Sequence, residues 1–449
     1  MNRSRPASWV KVMAGSAVLA LTLAACGSDS DDNDAADEPT DDATTSQTSE
    51  ENFTNDECAG NTSSADTFKV AGILPLTGNL AFLGPPEVAG VGLAVSDINA
   101  AGGVGDADAC QVLLDSGDAT DSSVANAAAQ QAISGNASMV LGAASSSVTQ
   151  NIVDAITNAP IVQISPANTA VSLSGYDPFY FRTAPPDGIQ GNALGNLISG
   201  DGNQRVAFIV FNDAYGVGLR DVVQETVENN GGEVVYGGKG MNQEFPPAQT
   251  SFSAEVNGAT SANPDAIVVL AFDETKAIIP ELANASWDMS KIYMVDGNTS
   301  SYGDEFDAGM LEGAKGTIPG NDPDSTFKDR LNAWYEFAEG EALNDYAYAA
   351  ESYDGVILAA LAAVKGGDTT PETIQKNLAA VSGATDGEEC TSYADCVALL
   401  EDGSEIRYAG PSGIGPFDDE NDPSSAFIGI YEYDADNNIG LVTTEEGKK

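Results

Sequence analysis

The chain contains no histidine among its 449 residues. That absence removes the commonest general base, the Ser-His-Asp and Cys-His nucleophile systems, and most zinc sites. Cations are nearly as scarce, with 18 Lys and Arg against 68 Asp and Glu, a formal charge of −50. So acidic a surface repels nucleic-acid phosphates, and that class of partner is excluded. Counter-ions would screen the self-repulsion in salty surroundings, so a high-salt habitat is expected. Carboxylate-pair hydrolysis keeps its residues, but the space left for enzymes is narrow, and no cofactor or metal is called for. Apolar runs of the roughly 20 residues needed to cross a bilayer are missing throughout.

What is present begins at the amino end. Arg3, Arg5 and Lys11 precede an apolar run from Val12 to Ala25, which closes on Leu23-Ala24-Ala25-Cys26. A positive start, a short apolar stretch and small residues before a processing point make an export signal. The ending resembles the lipobox of bacterial lipoproteins, which implies lipidation of Cys26, removal of residues 1–25 and an extracytoplasmic chain held to the cell membrane by its lipid alone. Residues 26–66 are Asp, Glu, Ser, Thr, Asn and Ala with almost nothing to bury, and are expected to form a disordered acidic tether. At about 5–6 Å × √n, 40 such residues span roughly 35 Å.

Four cysteines remain besides Cys26: Cys58, Cys110, Cys390 and Cys396. An even number in an exported protein predicts two disulfides with three possible pairings. The short spacing between Cys390 and Cys396 favours a local loop, which would leave Cys58 to Cys110.

From Phe68 onward, apolar runs alternate with helical faces. Lys69–Leu74, Ser138–Leu141 and Ile161–Ile164 are expected as strands. Between them, Pro85-Pro86 opens a helix carrying Val88, Val91, Ala94, Val95 and Ile98 on one face, and Val148, Ile152 and Ile156 mark another. The alternation resumes with strands at Val206–Phe211, Val234–Tyr236, Ala266–Leu270 and Lys291–Val295. Repeated βαβ units predict an α/β protein with two lobes, each a doubly wound parallel sheet covered by helices.

Five motifs stand in order on these elements. They are Gly72-Ile73-Leu74-Pro75-Leu76-Thr77-Gly78 with Asp97-Ile98-Asn99-Ala100-Ala101-Gly102-Gly103; Gly142-Ala143-Ala144-Ser145-Ser146-Ser147; Ile164-Ser165-Pro166-Ala167-Asn168-Thr169; Phe181-Arg182-Thr183-Ala184-Pro185-Pro186-Asp187 with Gln190-Gly191; and Asn212-Asp213-Ala214-Tyr215-Gly216. Together they resemble the substrate-binding proteins of branched-chain amino acid ABC transporters, over about residues 67–440. The resemblance implies the type I periplasmic-binding fold with a three-strand hinge near residues 185, 316 and 409. One lobe would hold 67–185 and 317–409, the other 186–316 and 410–445. It also implies a monomer that binds an amino acid, closes on it and docks on a permease without catalysing a reaction. The same fold accommodates amides, urea and small aromatic acids, and a sensing module for a signalling receptor is a further alternative.

The candidate ligand contacts follow motif by motif. Ser146 and Ser147 lie where a strand ends and a helix begins, and free N–H groups at a helix amino end hold a carboxylate; Ser147 also suits the role of helix cap. Ala167, Asn168 and Thr169 follow the next strand, and the resemblance assigns this loop a backbone carbonyl and a threonine hydroxyl for the ligand's amino and carboxylate groups. Tyr215 would close over the ligand from the second lobe, with Phe272 lining its side-chain pocket. Asp296 is the candidate counter-ion for an ammonium, although branched-chain binders usually offer a glutamate near this point. Arg182 is expected to be structural, and Glu351-Ser352-Tyr353-Asp354 to be ordinary helix polarity.

Overall fold

The computed structural model describes residues 51–58, 67–247 and 249–448. The leader, Cys26 and residues 27–50 and 59–66 of the expected tether lie outside the described residues.

Strand β1 (Thr67–Leu74) is buried from Phe68 onward. With β2 (Asp108–Asp115), β3 (Met139–Gly142), β4 (Val162–Ser165) and β5 (Tyr180–Arg182) it forms a five-stranded parallel sheet in the order β2-β1-β3-β4-β5. Helix α1 (Gly84–Ala100) covers one face; α2 (Ser122–Ser134) and α3 (Ser146–Asn158) cover the other through Ala125, Ala129, Ile152 and Ile156.

The chain then passes through residues 183–186 into α4 (Asp187–Gly200) and a second sheet. Strands β6 (Arg205–Val210), β7 (Glu233–Tyr236), β8 (Ala266–Leu270), β9 (Ile292–Met294) and β10 (Lys315–Pro319) alternate with α5 (Ala214–Asn229), α6 (Ser253–Ser261) and α7 (Thr275–Asn284). Residues 320–324 lead back to the first lobe, where α8 (Ser325–Glu339), α9 (Ala349–Gly366) and α10 (Pro371–Ala379) join its core through Trp334, Val356, Ile357 and Ile374. Gly90 on α1 admits α9, because a Cβ there would lie 2.3 Å from the Ala349 carbonyl oxygen. Beyond α10, β11 (Glu388–Cys390), α11 (Tyr393–Glu401) and β12 (Ile406–Tyr408) make a small annex, and residues 409–424 return to the second sheet.

Three features differ from the sequence expectation. The second sheet is mixed, not wholly parallel: β13 (Ser425–Tyr433) runs antiparallel to both β10 and β14 (Ile439–Lys448), in the order β14-β13-β10-β9-β8-β6-β7. A hairpin does this because its short turn, with Asn437 at φ 59°, must reverse the chain. Because β10 is paired in the second sheet, the middle passage begins at 320 rather than 317. Residues 52–58, expected as tether, are bound. Asp56 and Cys58 exchange backbone hydrogen bonds with Gln111 at 2.9 and 2.8 Å, and the Trp334 indole donates to the Thr54 carbonyl at 3.0 Å. The Cys58–Cys110 disulfide fixes this stretch to β2, and Cys390–Cys396 closes the short loop.

The polar start of α9, expected as ordinary helix polarity, is buried as well. Asp354 accepts from the Tyr408 hydroxyl at 2.7 Å and from both the N–H and the hydroxyl of Ser412. The Glu351 carbonyl accepts from Thr183 at 2.8 Å. This turn therefore anchors two of the three passages between the lobes.

Candidate functional site

The carboxyl ends of β3 and β4 face those of β6, β8 and β9 across a cleft, where open α/β sheets bind ligands. A small cavity lies there, lined by Leu80, Leu83, Ala144, Ser145, Ser146, Ala167, Asn168, Thr169, Tyr215, Phe272, Asp296, Gly297 and Tyr348. Seven of the eight sequence candidates for ligand contact are thus brought to one place.

The first lobe supplies hydroxyls and the amino end of α3. Ser145, not Ser147, caps this helix, its hydroxyl accepting from the Val148 N–H at 3.4 Å. Ser146 and Ser147 stand in the first turn, where N–H groups have no acceptor within the helix. The Ser146 hydroxyl accepts from the Ala170 N–H at 3.3 Å. Ser147 is the candidate that does not line the cavity. Its hydroxyl donates to the Asp213 carboxylate at the head of α5, joining the two lobes. Asn168 touches the cavity, but its amide is committed elsewhere: it donates to the Ala143 carbonyl and the Thr149 hydroxyl at 3.2 and 2.8 Å, and accepts from Tyr180 at 2.6 Å. Its side chain holds the loop, leaving Ala167 and Thr169 to present the loop's other groups.

The second lobe supplies a carboxylate and aromatic faces. Asp296, 5 % exposed, accepts from the Tyr215 and Tyr348 hydroxyls, each at 2.6 Å. Burial pushes the Asp296 carboxyl up, while those two hydroxyls and Gln190 draw it down. Tyr215 stacks on Phe272 with ring centres 5.4 Å apart. Gly297 is required beside them, since a Cβ there would come within 2.8 Å of the Phe272 ring. Among the described residues, no lysine or arginine lines the cavity. Arg182, fully buried nearby, is bound to Asp422 at 2.5 and 3.0 Å, to the Ala170 carbonyl and to the Ser174 hydroxyl. It is structural, as expected.

Sequence reasoning missed Tyr348, Leu80, Leu83 and Asp187. Leu80 and Leu83 had a signal: apolar residues in a loop just before the amino end of α1. Tyr348 had none, since it comes from a distant segment and adopts φ 60°. Asp187 stood inside the fourth motif, but only the structure reveals that its carboxyl is fully buried beside Thr169.

The cavity thus sets the amino end of α3 at one side and a carboxylate at the other, with apolar side chains between them. The model of the periplasmic binding protein family matches residues 67–392, and the chain belongs to that family.

Among characterised relatives, the chain is 34% identical over 170 residues to the leucine-, isoleucine-, valine-, threonine- and alanine-binding protein of Pseudomonas aeruginosa, covering 37% of this chain and 45% of the relative. It is 34% identical over 175 residues to the Leu/Ile/Val/Thr-binding protein of Salmonella typhimurium, covering 38% and 47%. The chain spans about half the length of the curated relatives it matches. Among solved structures, a leucine-binding protein of Thermotoga maritima superposes with a TM-score of 0.67 at 20% identity, covering 84% of this chain and 98% of that one. A solute-binding protein of R. palustris in complex with 4-hydroxybenzoate gives 0.69 at 16%, covering 86% and 98%. These likenesses define the type I periplasmic-binding fold.

Proposed function

We propose that the protein is an extracytoplasmic solute-binding protein that delivers an aliphatic amino acid to an ABC transporter by hinge closure, without chemistry of its own. The observation that carries this reading is the opposition, across one small cavity, of the α3 amino end and Asp296. An α-carboxylate suits the first and an α-ammonium the second. Leu80, Leu83, Ala144 and Phe272 leave an apolar remainder for the side chain.

Relatives that bind leucine, isoleucine and valine support the same class. Structural neighbours that hold hydroxybenzoates raise a second reading. It is weaker, because an aromatic acid would bring a carboxylate to a cavity that already buries Asp296 and offers no cation. The lobes are taken as 67–185 with 320–409 and 186–319 with 410–448, hinged at the three passages. Lipidation at Cys26 and the acidic tract after it would keep a monomeric receptor at high effective concentration near its permease.

A thermal-shift screen of leucine, isoleucine, valine, small amides, urea and benzoates tests this, since a ligand that binds only the folded form raises the melting temperature. The branched-chain amino acids should raise it and benzoates should not. No shift with any of the three would overturn the amino acid reading.

A further inference from the structure

Behind the cavity wall, among the described residues, both carboxyl oxygens of Asp187 and the Thr169 hydroxyl have no hydrogen-bond partner beyond what they can offer one another. Asp187 is 0% exposed and Thr169 1%. The two are tied through the backbone, where the Asp187 N–H donates to the Thr169 carbonyl at 2.7 Å. Thr169 also lines the cavity, so this residue stands between the cavity and Asp187. A hydroxyl has one proton, so the side on which it donates is decided by what its other neighbour offers.

We propose that Asp187 is a positioning residue for the ligand's carboxylate: held as the neutral acid, it donates its proton to the Thr169 oxygen and turns the Thr169 O–H into the cavity. The inference rests on the amino acid reading for its ligand.

The surroundings keep Asp187 neutral. Asp296 after β9 and Asp213 at the head of α5 are both near it, and Arg182 on β5, the cation in reach, is already bound to Asp422. From β10, Thr317 lies close by, bonded to Gln190, while Lys315 at the other end of that strand pairs with Asp201. Glu432 on β13 and Glu445 and Glu446 on β14 point to solvent. Tyr215 and Tyr348 donate to Asp296 and do not reach Asp187. Burial pushes the Asp187 carboxyl up to about 8, the Thr169 hydroxyl draws it down, Asp296 and Asp213 raise it and Arg182 lowers it. Once ionised, Asp187 would take the Thr169 proton for itself and leave hydroxyl lone pairs facing the ligand's carboxylate.

If only the neutral form binds well, affinity scales with the neutral fraction and falls about tenfold between pH 7 and pH 9. Leucine affinity by isothermal titration across that range is the test. The wild-type ratio of dissociation constants should be about ten. Asp187→Asn, whose amide donates to Thr169 at every pH, should bring that ratio to about one. Asp187→Leu, with no donor, should bind about tenfold more weakly at pH 7. A flat wild-type profile, the same slope in Asp187→Asn, or full affinity in Asp187→Leu would each overturn the proposal.

The empty protein gives an independent arm. A carboxyl raised in the folded state loses stability as pH rises from its unfolded value to its folded one. The wild-type melting temperature should therefore fall relative to Asp187→Asn between pH 5 and 8, and parallel curves would overturn the neutral acid. If no amino acid binds at any pH, the amino acid reading fails while this arm still decides the state of Asp187.

Discussion

Arg182 and Asp296 are both buried charges at the edge of the cleft, and their surroundings differ completely. Arg182 has a carboxylate, a carbonyl and a hydroxyl arranged around its guanidinium, with Asp422 taking two of its donors. Asp296 has two tyrosine hydroxyls and Gln190 around it and, among the described residues, no cation in contact. A buried charge with its counter-ion in place is part of the scaffold. One held only by neutral donors has room for a partner from outside. The contrast separates structure from site without reference to any relative, and substitutions at and around the two charges test it.

The largest effect belongs to the completed pair. Asp422→Ala would leave the guanidinium of Arg182 buried without a counter-ion, and should cost about 3–5 kcal/mol of stability, measured by urea unfolding. Ligand affinity per folded molecule should be almost unchanged. If binding fell as steeply as stability, Arg182 would belong to the site and the contrast would fail.

Asp296→Asn should do the reverse. Losing the charge that faces the ligand ammonium should weaken leucine binding by roughly 2–3 kcal/mol, about 30- to 150-fold. The empty protein should gain stability, because burial holds this carboxyl above its ordinary range. For such a group, stability present at low pH is lost as pH rises past the unfolded value. The asparagine variant should lack that decline, so the two melting curves should separate toward neutral pH. A variant both weaker in binding and less stable would make Asp296 scaffold.

Much of this contrast was legible in the sequence, and the part that was not has a physical cause. Strands such as Ala266–Leu270 and helix faces such as Val148, Ile152 and Ile156 are repetitive, so their period alone gives their place. Ser146, Thr169, Tyr215 and Asp296 each follow a strand's carboxyl end, and a doubly wound topology brings such ends together. What could not be read was how polar groups pair across distant segments. Asp422 lies 240 residues from Arg182, and the Glu351–Asp354 turn carries the same polarity as a solvated helix although it is buried. Ser147 was read toward the ligand, and only the approach of α5 turns it to Asp213. The docking of residues 52–58 was likewise invisible, since an acidic stretch resembles its disordered neighbours until the disulfide and Trp334 are in place.

Thr169→Ala tests the donor side of the cavity. Removing a hydroxyl that meets a charged ligand group should cost about 1.5–3 kcal/mol, more than tenfold in affinity. Stability should change less, because without ligand this hydroxyl has the Asp187 carboxyl as its one side-chain partner among the described residues. Unchanged affinity would move the carboxylate site away from this loop and leave Asp296 facing a ligand held by other groups.

The smallest effects are expected around Ser147, which touches neither charge but joins the lobes that carry them. Its hydroxyl donates to Asp213 and accepts from the Ala214 N–H at 3.4 Å. These bonds link α3 to the head of α5, so they form only when the lobes meet. Ser147→Ala should therefore act on closure alone, at about 1.5 kcal/mol, the low end for a hydrogen bond to a charged group. Since the loss falls on the closed form, affinity should weaken about tenfold, almost all of it in the dissociation rate. Stopped-flow release of leucine would resolve the two rates. A slower association with unchanged release would instead place Ser147 in the first encounter with ligand, as its position in the motif had suggested. Asp213→Asn keeps an amide oxygen that can accept from Ser147 and from the Tyr215 N–H, so it should cost less than Ser147→Ala.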